Sequence, residues 1–404
     1  MQKRPSAVYT IAALFALLCI LFIPFPFHLF PLQQDITEGL FGNLIGFTAH
    51  ALFGIHLKST LVHSDAVSMY VLVLVLLVLS IGAGLLLHFR ISHKQFYTRL
   101  LHVIYLLAVY YLSLMLLKYG LDKLFKHQFY LPEPNILYTP LGRLDKDILY
   151  WSSIGTSRFY NICIGSVEIL SALLLIFRRT RMAGALLSIA VMAQVLMINL
   201  GFDISVKLYS SFLLFLSLFI LSAYGRRLVS FFLGRNEVVP AITFPVLIHH
   251  PFWRAFIKCM LTGFMLLESF LPYIRSKNFN DDAAARPYMH GAYAVQQFIS
   301  GADTLSGVQS PVKRFFIHRN GYLVFQDQQD AMQDYKLDYD TGQYNYVITD
   351  YRQHRTNLDI TFNAADSLLT IHYLNKNNPI TITGKGLNWR QLPALKKNFH
   401  WTVE

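Results

Sequence analysis

Charge is scarce in this sequence: Asp, Glu, Lys and Arg make up 14% of its 404 residues, against roughly 25% in an ordinary soluble domain. A conventional water-soluble enzyme is disfavoured on that ground alone. Cysteine is scarcer still. Cys19, Cys163 and Cys259 each lie inside an apolar run and none stands in a CxxC pair, which argues against a disulfide framework, a zinc site and a dithiol relay. Phosphate-cradling loops are missing too: no P-loop is present, and Gly82-Ala83-Gly84 lacks the third glycine and the preceding strand of a dinucleotide fingerprint. No Ser-His-Asp order or metal-spaced histidine set stands out. Acidic residues are the minority charge, 23 against 35 Lys and Arg, giving a net charge of +12. Residues 1–285 hold 23 basic and 13 acidic side chains and the remainder 12 and 10. The excess therefore sits in the hydrophobic part, where it reports membrane orientation rather than a nucleic-acid partner.

Hydrophobic residues are abundant, at 54%, with a mean hydropathy of +0.40. A helix needs about 20 apolar residues to span the hydrocarbon core. Seven runs meet that length, near Val8–Phe30, Ala66–Leu87, Leu100–Tyr119, Phe159–Phe177, Met182–Leu200, Val206–Tyr224 and Ala255–Tyr273. The first follows Lys3 and Arg4, ends in Pro24-Phe25-Pro26 and has no small-residue cleavage site, so it reads as a retained anchor. Basic residues mark one side of the resulting topology: Lys3/Arg4, Arg90/Lys94/Arg99, Arg178/Arg179/Arg181 and Arg226/Arg227/Arg235/Arg254. That side is expected to be cytoplasmic. The other side carries two long connections, about Pro31–Asp65 and Gly120–Arg158. Seven spans then put the N-terminus inside and the C-terminal region outside the cytoplasmic (inner) membrane.

From about Arg286 the period changes. Short β-branched or aromatic runs, among them Tyr293–Val295, Arg314–Ile317, Tyr322–Phe325, Tyr344–Ile348, Leu358–Phe362, Leu368–Tyr373 and Ile380–Ile382, alternate with turn signals. The turns are Asn320-Gly321, Asp340-Thr341-Gly342, Asn363–Asp366 and Asn375–Asn378. The expected fold is a polytopic α-helical membrane protein followed by a small all-β antiparallel barrel or sandwich. Its expected divisions are two N-terminal helices with an outer loop over 1–98, a four-helix core over 99–224, a cytoplasmic connection and seventh helix over 225–275, a linker over 276–285 and the β domain over 286–404. Trp389 and Phe399-His400-Trp401 supply either a binding platform or barrel closure, with packing the commoner outcome.

Ionisable groups within apolar helices are the strongest site candidates. Glu168 stands ten residues before Arg178, about 15 Å from the cytoplasmic face on a helix rising 1.5 Å per residue. Gln194, Tyr110, Tyr111, Ser113, Ser210 and Ser211 fall at comparable depth, forming a candidate polar layer. Glu168 there is either a proton-accepting or ligand-anchoring group, or a protonated side chain cementing the bundle through Gln194 or Tyr110. A second set marks the outer edge: Lys118, Asp122, Lys123 and Lys126, then Asn199, Asp203 and Lys207. Lys118/Asp122 and Asp203/Lys207 are spaced for pairing within a helix, and Asp203 is positioned to cap the helix that follows it. The functional alternative is a mouth where Lys123 and Lys207 hold the polar head of an amphipathic ligand. Glu268 is an isolated candidate that Arg275 could neutralise. His88 and His102 lie too close to the cytoplasmic ends to favour haem.

The stretch from Arg99 to about Tyr224 resembles the DoxX-like family of four-helix membrane proteins. The resemblance rests on Tyr119-Gly120-Leu121-Asp122-Lys123, Gly165-Ser166-Val167-Glu168, Arg178-Arg179-Thr180 with Gly184, and Asn199 with Asp203-Ile204-Ser205-Val206-Lys207. It implies a four-helix bundle and, for some members, a small subunit in quinone-linked oxidation of sulfur compounds or in redox homeostasis. The extra helices and the β domain depart from the short family form. The leading expectation is therefore an accessory subunit binding a quinone or similar amphiphile, working beside a redox partner in the lipid bilayer. Two alternatives stand next to it: a non-enzymatic envelope scaffold or assembly factor acting through the β domain, and a small-solute or lipid transporter using the polar layer as its pathway.

Overall fold

In the computed structural model, residues 5–90, 94–234, 247–339, 346–375, 378–396 and 402 are described. Lys3, Arg4, Arg235, the Asp340-Thr341-Gly342 turn and Phe399-His400-Trp401 lie outside them. Eleven α-helices are present among the described residues: α1 (Ala7–Phe22), α2 (Gln33–Phe53), α3 (Val67–Arg90), α4 (Lys94–Leu124), α5 (Pro134–Leu137), α6 (Lys146–Thr156), α7 (Arg158–Ile176), α8 (Arg181–Gly201), α9 (Lys207–Ser222), α10 (Gly225–Phe232) and α11 (Pro251–Ser276). Nine strands follow: β1 (Gly291–Ser300), β2 (Asp303–Leu305), β3 (Arg314–His318), β4 (Tyr322–Gln326), β5 (Met332–Tyr339), β6 (Tyr346–Thr349), β7 (Arg355–Asn363), β8 (Leu368–Asn375) and β9 (Asn378–Leu387). The chain divides into two compact units, Met1–Gln128 with Phe159–Phe279 and Phe129–Arg158 with Asn280–Glu404.

The first unit is helical. Five helices, α3, α4, α7, α8 and α11, are long and apolar enough to cross a membrane by length and composition. Seven were expected. α1 and α9 are apolar but only 16 residues each, about 24 Å, short of a hydrocarbon core about 30 Å thick. Proline explains the first shortfall: α1 starts under a Ser6 cap that accepts the Tyr9 N–H and stops before Pro24 and Pro26, which cannot continue a helix. The expected outer connection over 31–65 contains α2, closed by Gly54 in the left-handed region (φ 65°). Gln33 fixes its start: its amide donates to the Ile20 and Leu21 carbonyls, and its oxygen accepts the Phe25 N–H. Large apolar side chains cover the outside of this unit. α11 alone exposes Phe252, Trp253, Phe256, Met260, Phe264 and Leu267.

The second unit is a closed, all-antiparallel, eight-stranded barrel. Strands β3 to β9 run as a meander and β1 pairs with both β3 and β9, while the short β2 extends one end of β1. A register shift between Val295 and Gln297 marks an irregularity in β1 against β9, the kind of bulge that bends a strand at closure. The Asn320-Gly321 turn joins β3 to β4, with Gly321 at φ 71°. Period-2 alternation sends Tyr293, Phe315, Leu323, Ile348, Leu358 and Ile371 inward with their neighbours, and they fill the barrel.

The segment over 129–158, expected to be an outer loop of the helical part, belongs to the barrel unit. Leu131, Leu137 and Tyr138 pack on the outer face of β1, β3 and β4 against Ala292, Phe316, Val324 and Trp389. Trp389 thus serves packing, on the outside of the barrel. The fold of the segment is tight: a Cβ on Gly155 would come within 2.2 Å of the Tyr130 carbonyl oxygen.

Candidate functional site

The last two turns of α4 carry Lys118, Asp122 and Lys123, and each finds a partner on another helix. Lys118 Nζ lies 2.7 Å from Glu268 Oε1 of α11, with neither side chain more than 10% exposed. Glu268 also accepts the backbone N–H groups of His28 at 2.9 Å and Leu29 at 2.8 Å. One carboxylate thereby joins α4, α11 and the chain following Pro26. Lys118 stands over the Phe25 ring at 5.4 Å, within reach of a cation–π contact. One turn further on, Asp122 Oδ1 accepts the Tyr273 hydroxyl of α11 at 2.5 Å. The spacing-based expectation of a Lys118/Asp122 pair gives way to these tertiary contacts, and Glu268 is neutralised by Lys118 instead of the expected Arg275.

Lys123 reaches α7. Its Nζ is 2.8 Å from Glu168 Oε2, and both side chains are buried. Two glycines allow this approach. A Cβ on Gly120 would come within 2.8 Å of the Gly165 carbonyl oxygen, and one on Gly165 within 2.6 Å of the Gly120 carbonyl oxygen. The helices meet backbone to backbone, so a lysine at the crossing spans the gap to the carboxylate.

The remaining predicted residues are distributed differently from the expected layer. Gln194 is exposed on α8 and Tyr110 is half-buried on α4, whereas Glu168 is buried with Lys123 as its partner. Tyr111 and Tyr209 bring their hydroxyls within 3.0 Å. Asn199 donates to Ser210 Oγ at 3.0 Å, and Ser210 donates to the Lys207 carbonyl. Ser113 and Ser211 bond back to carbonyls of their own helices. Lys207 pairs with Asp203 at 2.7 Å and approaches Asp65 at 3.8 Å. Asp65 also accepts the N–H groups of Lys207 and Leu208, which makes it the cap of α9 in place of the expected Asp203. Lys123 and Lys207 thus have separate acidic partners. His88 Nδ1 contacts the Tyr97 hydroxyl at 3.4 Å, and His102 stacks on Tyr105. Buried Arg181 donates to the Leu175 and Ile176 carbonyls at the end of α7.

The barrel unit holds a charged cluster that sequence reasoning missed. Glu133, at the start of α5, accepts from His290 Nε2 at 2.8 Å and from the Arg319 N–H at 3.3 Å, with His318 Nε2 3.9 Å away. Asp281 binds both Arg286, at 2.9 Å, and Arg319, and the Arg319 guanidinium lies 3.7 Å from the Tyr130 ring centre. Burial would raise the Glu133 pKa, but the His290 hydrogen bond, the His318 charge and the Arg319 N–H hold it below the usual carboxylate value. Burial pushes His318 below its ordinary value, against the opposing pull of Glu133. The sequence signal was slight: one glutamate between Pro132 and Pro134, in a region where turns and aromatics read as loop. Among the described residues, no three His, Cys, Asp or Glu side chains converge as a metal requires.

No protein-family model matches the chain, and no solved structure matches it. Over 82 residues it is 34% identical to the uncharacterized protein YwoB of Bacillus subtilis (strain 168), which is 20% of this chain and 53% of that protein. The chain therefore spans about half the length of that curated relative.

Proposed function

We propose that the protein is a multi-pass inner-membrane protein of the DoxX-like type that holds its β-barrel outside the cytoplasm and acts as an envelope scaffold or assembly factor through it. The observation carrying this reading is the mutual pairing of buried charges, Lys118 with Glu268 and Lys123 with Glu168, beside the hydrogen bond from Tyr273 to half-buried Asp122. Charges in apolar surroundings are costly unless paired. These contacts join helices to one another, which suits an anchor. The apolar exterior of α11 supports a lipid-facing position. Arg178 and Arg179, both exposed between α7 and α8, support a cytoplasmic location for that turn. α1 and α9 complete seven crossings in this reading, their shortness met by local thinning of the bilayer. The barrel interior is filled by side chains, so binding by the barrel falls to its outer surface.

A second reading, the quinone- or amphiphile-binding accessory subunit, draws on one observation. Two of the segments on which the family resemblance rests meet in space, Gly120 on Gly165 and Lys123 on Glu168. The double variant Lys123→Met/Glu168→Leu separates the two, with co-purifying small molecules and envelope components measured by mass spectrometry. The scaffold reading expects envelope components to be retained at the wild-type level. Their loss from a folded double variant would overturn it, and loss of a bound quinone would favour the second reading.

A further inference from the structure

The outside of the barrel carries a depression of about 430 Å³ over β4 to β7, within the range of roughly 300–1,000 Å³ usual for small-ligand clefts. Its floor is one cross-strand row. Tyr322 pairs with Lys336, Lys336 with Thr349 and Thr349 with Arg355. Paired residues share a sheet face, and this face is opposite to the inward-pointing Leu323, Leu337 and Ile348. Asp334 and Asp338, two positions either side of Lys336, project the same way.

The turn between β6 and β7 forms the wall. The Asp350 carboxylate pins it, accepting the backbone N–H groups of Arg352 and His354 at 2.8 Å each and contacting His354 Nδ1 at 3.1 Å. Tyr351 is thereby held over the floor. Its hydroxyl donates to Asp334 Oδ2 at 2.5 Å while the residue stays 82% exposed. The lining alternates donors and acceptors: Lys336 Nζ sits 3.4 Å from Asp338, Arg355 is exposed beside Thr349, and two tyrosine rings present apolar faces with polar tips. Such a surface has too little net cation for a phosphate-rich ligand and too much paired basic charge for a metal ion. It suits a molecule dense in hydroxyls that both donate and accept, with C–H faces to lie against tyrosine.

We propose that this depression is a saccharide-binding site for a neutral oligosaccharide of the kind found in envelope glycans. The biological source of the ligand rests on the extracytoplasmic position given to the barrel above, whereas the recognition chemistry does not. The test uses the full chain in lipid nanodiscs, titrated with tri-N-acetylchitotriose, with free N-acetylglucosamine and with inorganic phosphate, followed by calorimetry and saturation-transfer NMR. The trisaccharide is expected to bind, the monosaccharide more weakly and phosphate not at all. Tyr351→Ala and Arg355→Ala should each weaken the trisaccharide at least about tenfold with an unchanged unfolding midpoint, since both side chains are exposed. No trisaccharide binding, binding that both variants leave intact, or phosphate competing for the site would overturn the proposal. Preference for the monosaccharide would overturn the glycan-strand source. Loss of the saccharide site with envelope components still co-purifying would remove this inference and leave the scaffold reading standing.

Discussion

Glu168 and Glu268 look alike in the sequence, each a lone carboxylate in an apolar helix, but their surroundings differ in a way that stability measurements can read. Glu168 receives Lys123, whereas Glu268 receives Lys118 and two backbone N–H groups. Removing one member of a buried pair leaves an uncompensated charge, at a cost of about 3–5 kcal/mol. Glu168→Gln and Glu268→Gln should therefore both be strongly destabilising in detergent unfolding titrations. The double replacements should diverge. Lys123→Met/Glu168→Leu recovers most of the loss, while Lys118→Met/Glu268→Leu does not, because the His28 and Leu29 N–H groups lose their acceptor, at about 1–3 kcal/mol each. Equal recovery in both doubles would contradict these roles. Their place within apolar helices identified both carboxylates in the sequence, but partner choice was hidden, since Lys118 and Glu268 stand 150 residues apart and spacing rules reach only i±4.

Elements with one strong local signal were legible. Gly321 of the Asn320-Gly321 hairpin takes the left-handed geometry a glycine permits, a turn follows Asn363 between β7 and β8 with its positive φ at Ser367, and the long apolar runs of α3, α4, α7, α8 and α11 are helices. Elements whose stability comes from distant packing were not. β5 carries Asp334, Lys336 and Asp338 on its outer side, which dilutes the hydrophobic pattern, and only Tyr335 and Leu337 mark its inner face. The segment over 129–158 folds because Leu131, Leu137, Tyr138 and Glu133 meet the barrel, and that contact is invisible locally. Its docking is expected to be acid-sensitive. His318 has its pKa lowered by burial, so the unfolded chain takes up the proton first as pH falls below the ordinary 6.5, and stability declines. Glu133, also lowered, adds stability that is present above 4.5 and is lost as pH falls through its folded value. Both contributions have the same sign. Protection factors of the amides over 129–158, with the base-catalysed intrinsic rate divided out, should fall as the pH is lowered from 7.5 to 5.5, and His318→Asn should flatten that change. Protection factors that rise on acidification would contradict the assignment.

At the scale of the whole molecule, composition located the hydrophobic part and the β part, and the expected linker over 276–285 contains the division at Phe279/Asn280. The barrel unit is assembled from two separated stretches, one of them inserted between α4 and α7, so the chain passes between the units three times. Periodicity changes near Arg286 could mark only the last of these passages. The proposed orientation rests on charge placement: Arg178 and Arg179 follow α7 at the end away from the Gly120–Gly165 crossing, and the barrel follows α11. The proposed role requires the barrel to be outside and that arginine turn inside. Labelling of intact spheroplasts with a membrane-impermeant maleimide tests this most directly, using single-cysteine variants in a background with Cys19, Cys163 and Cys259 replaced. Tyr351→Cys is predicted to react at once and Arg179→Cys only after permeabilisation. Protection of Tyr351→Cys with ready reaction of Arg179→Cys would contradict the account.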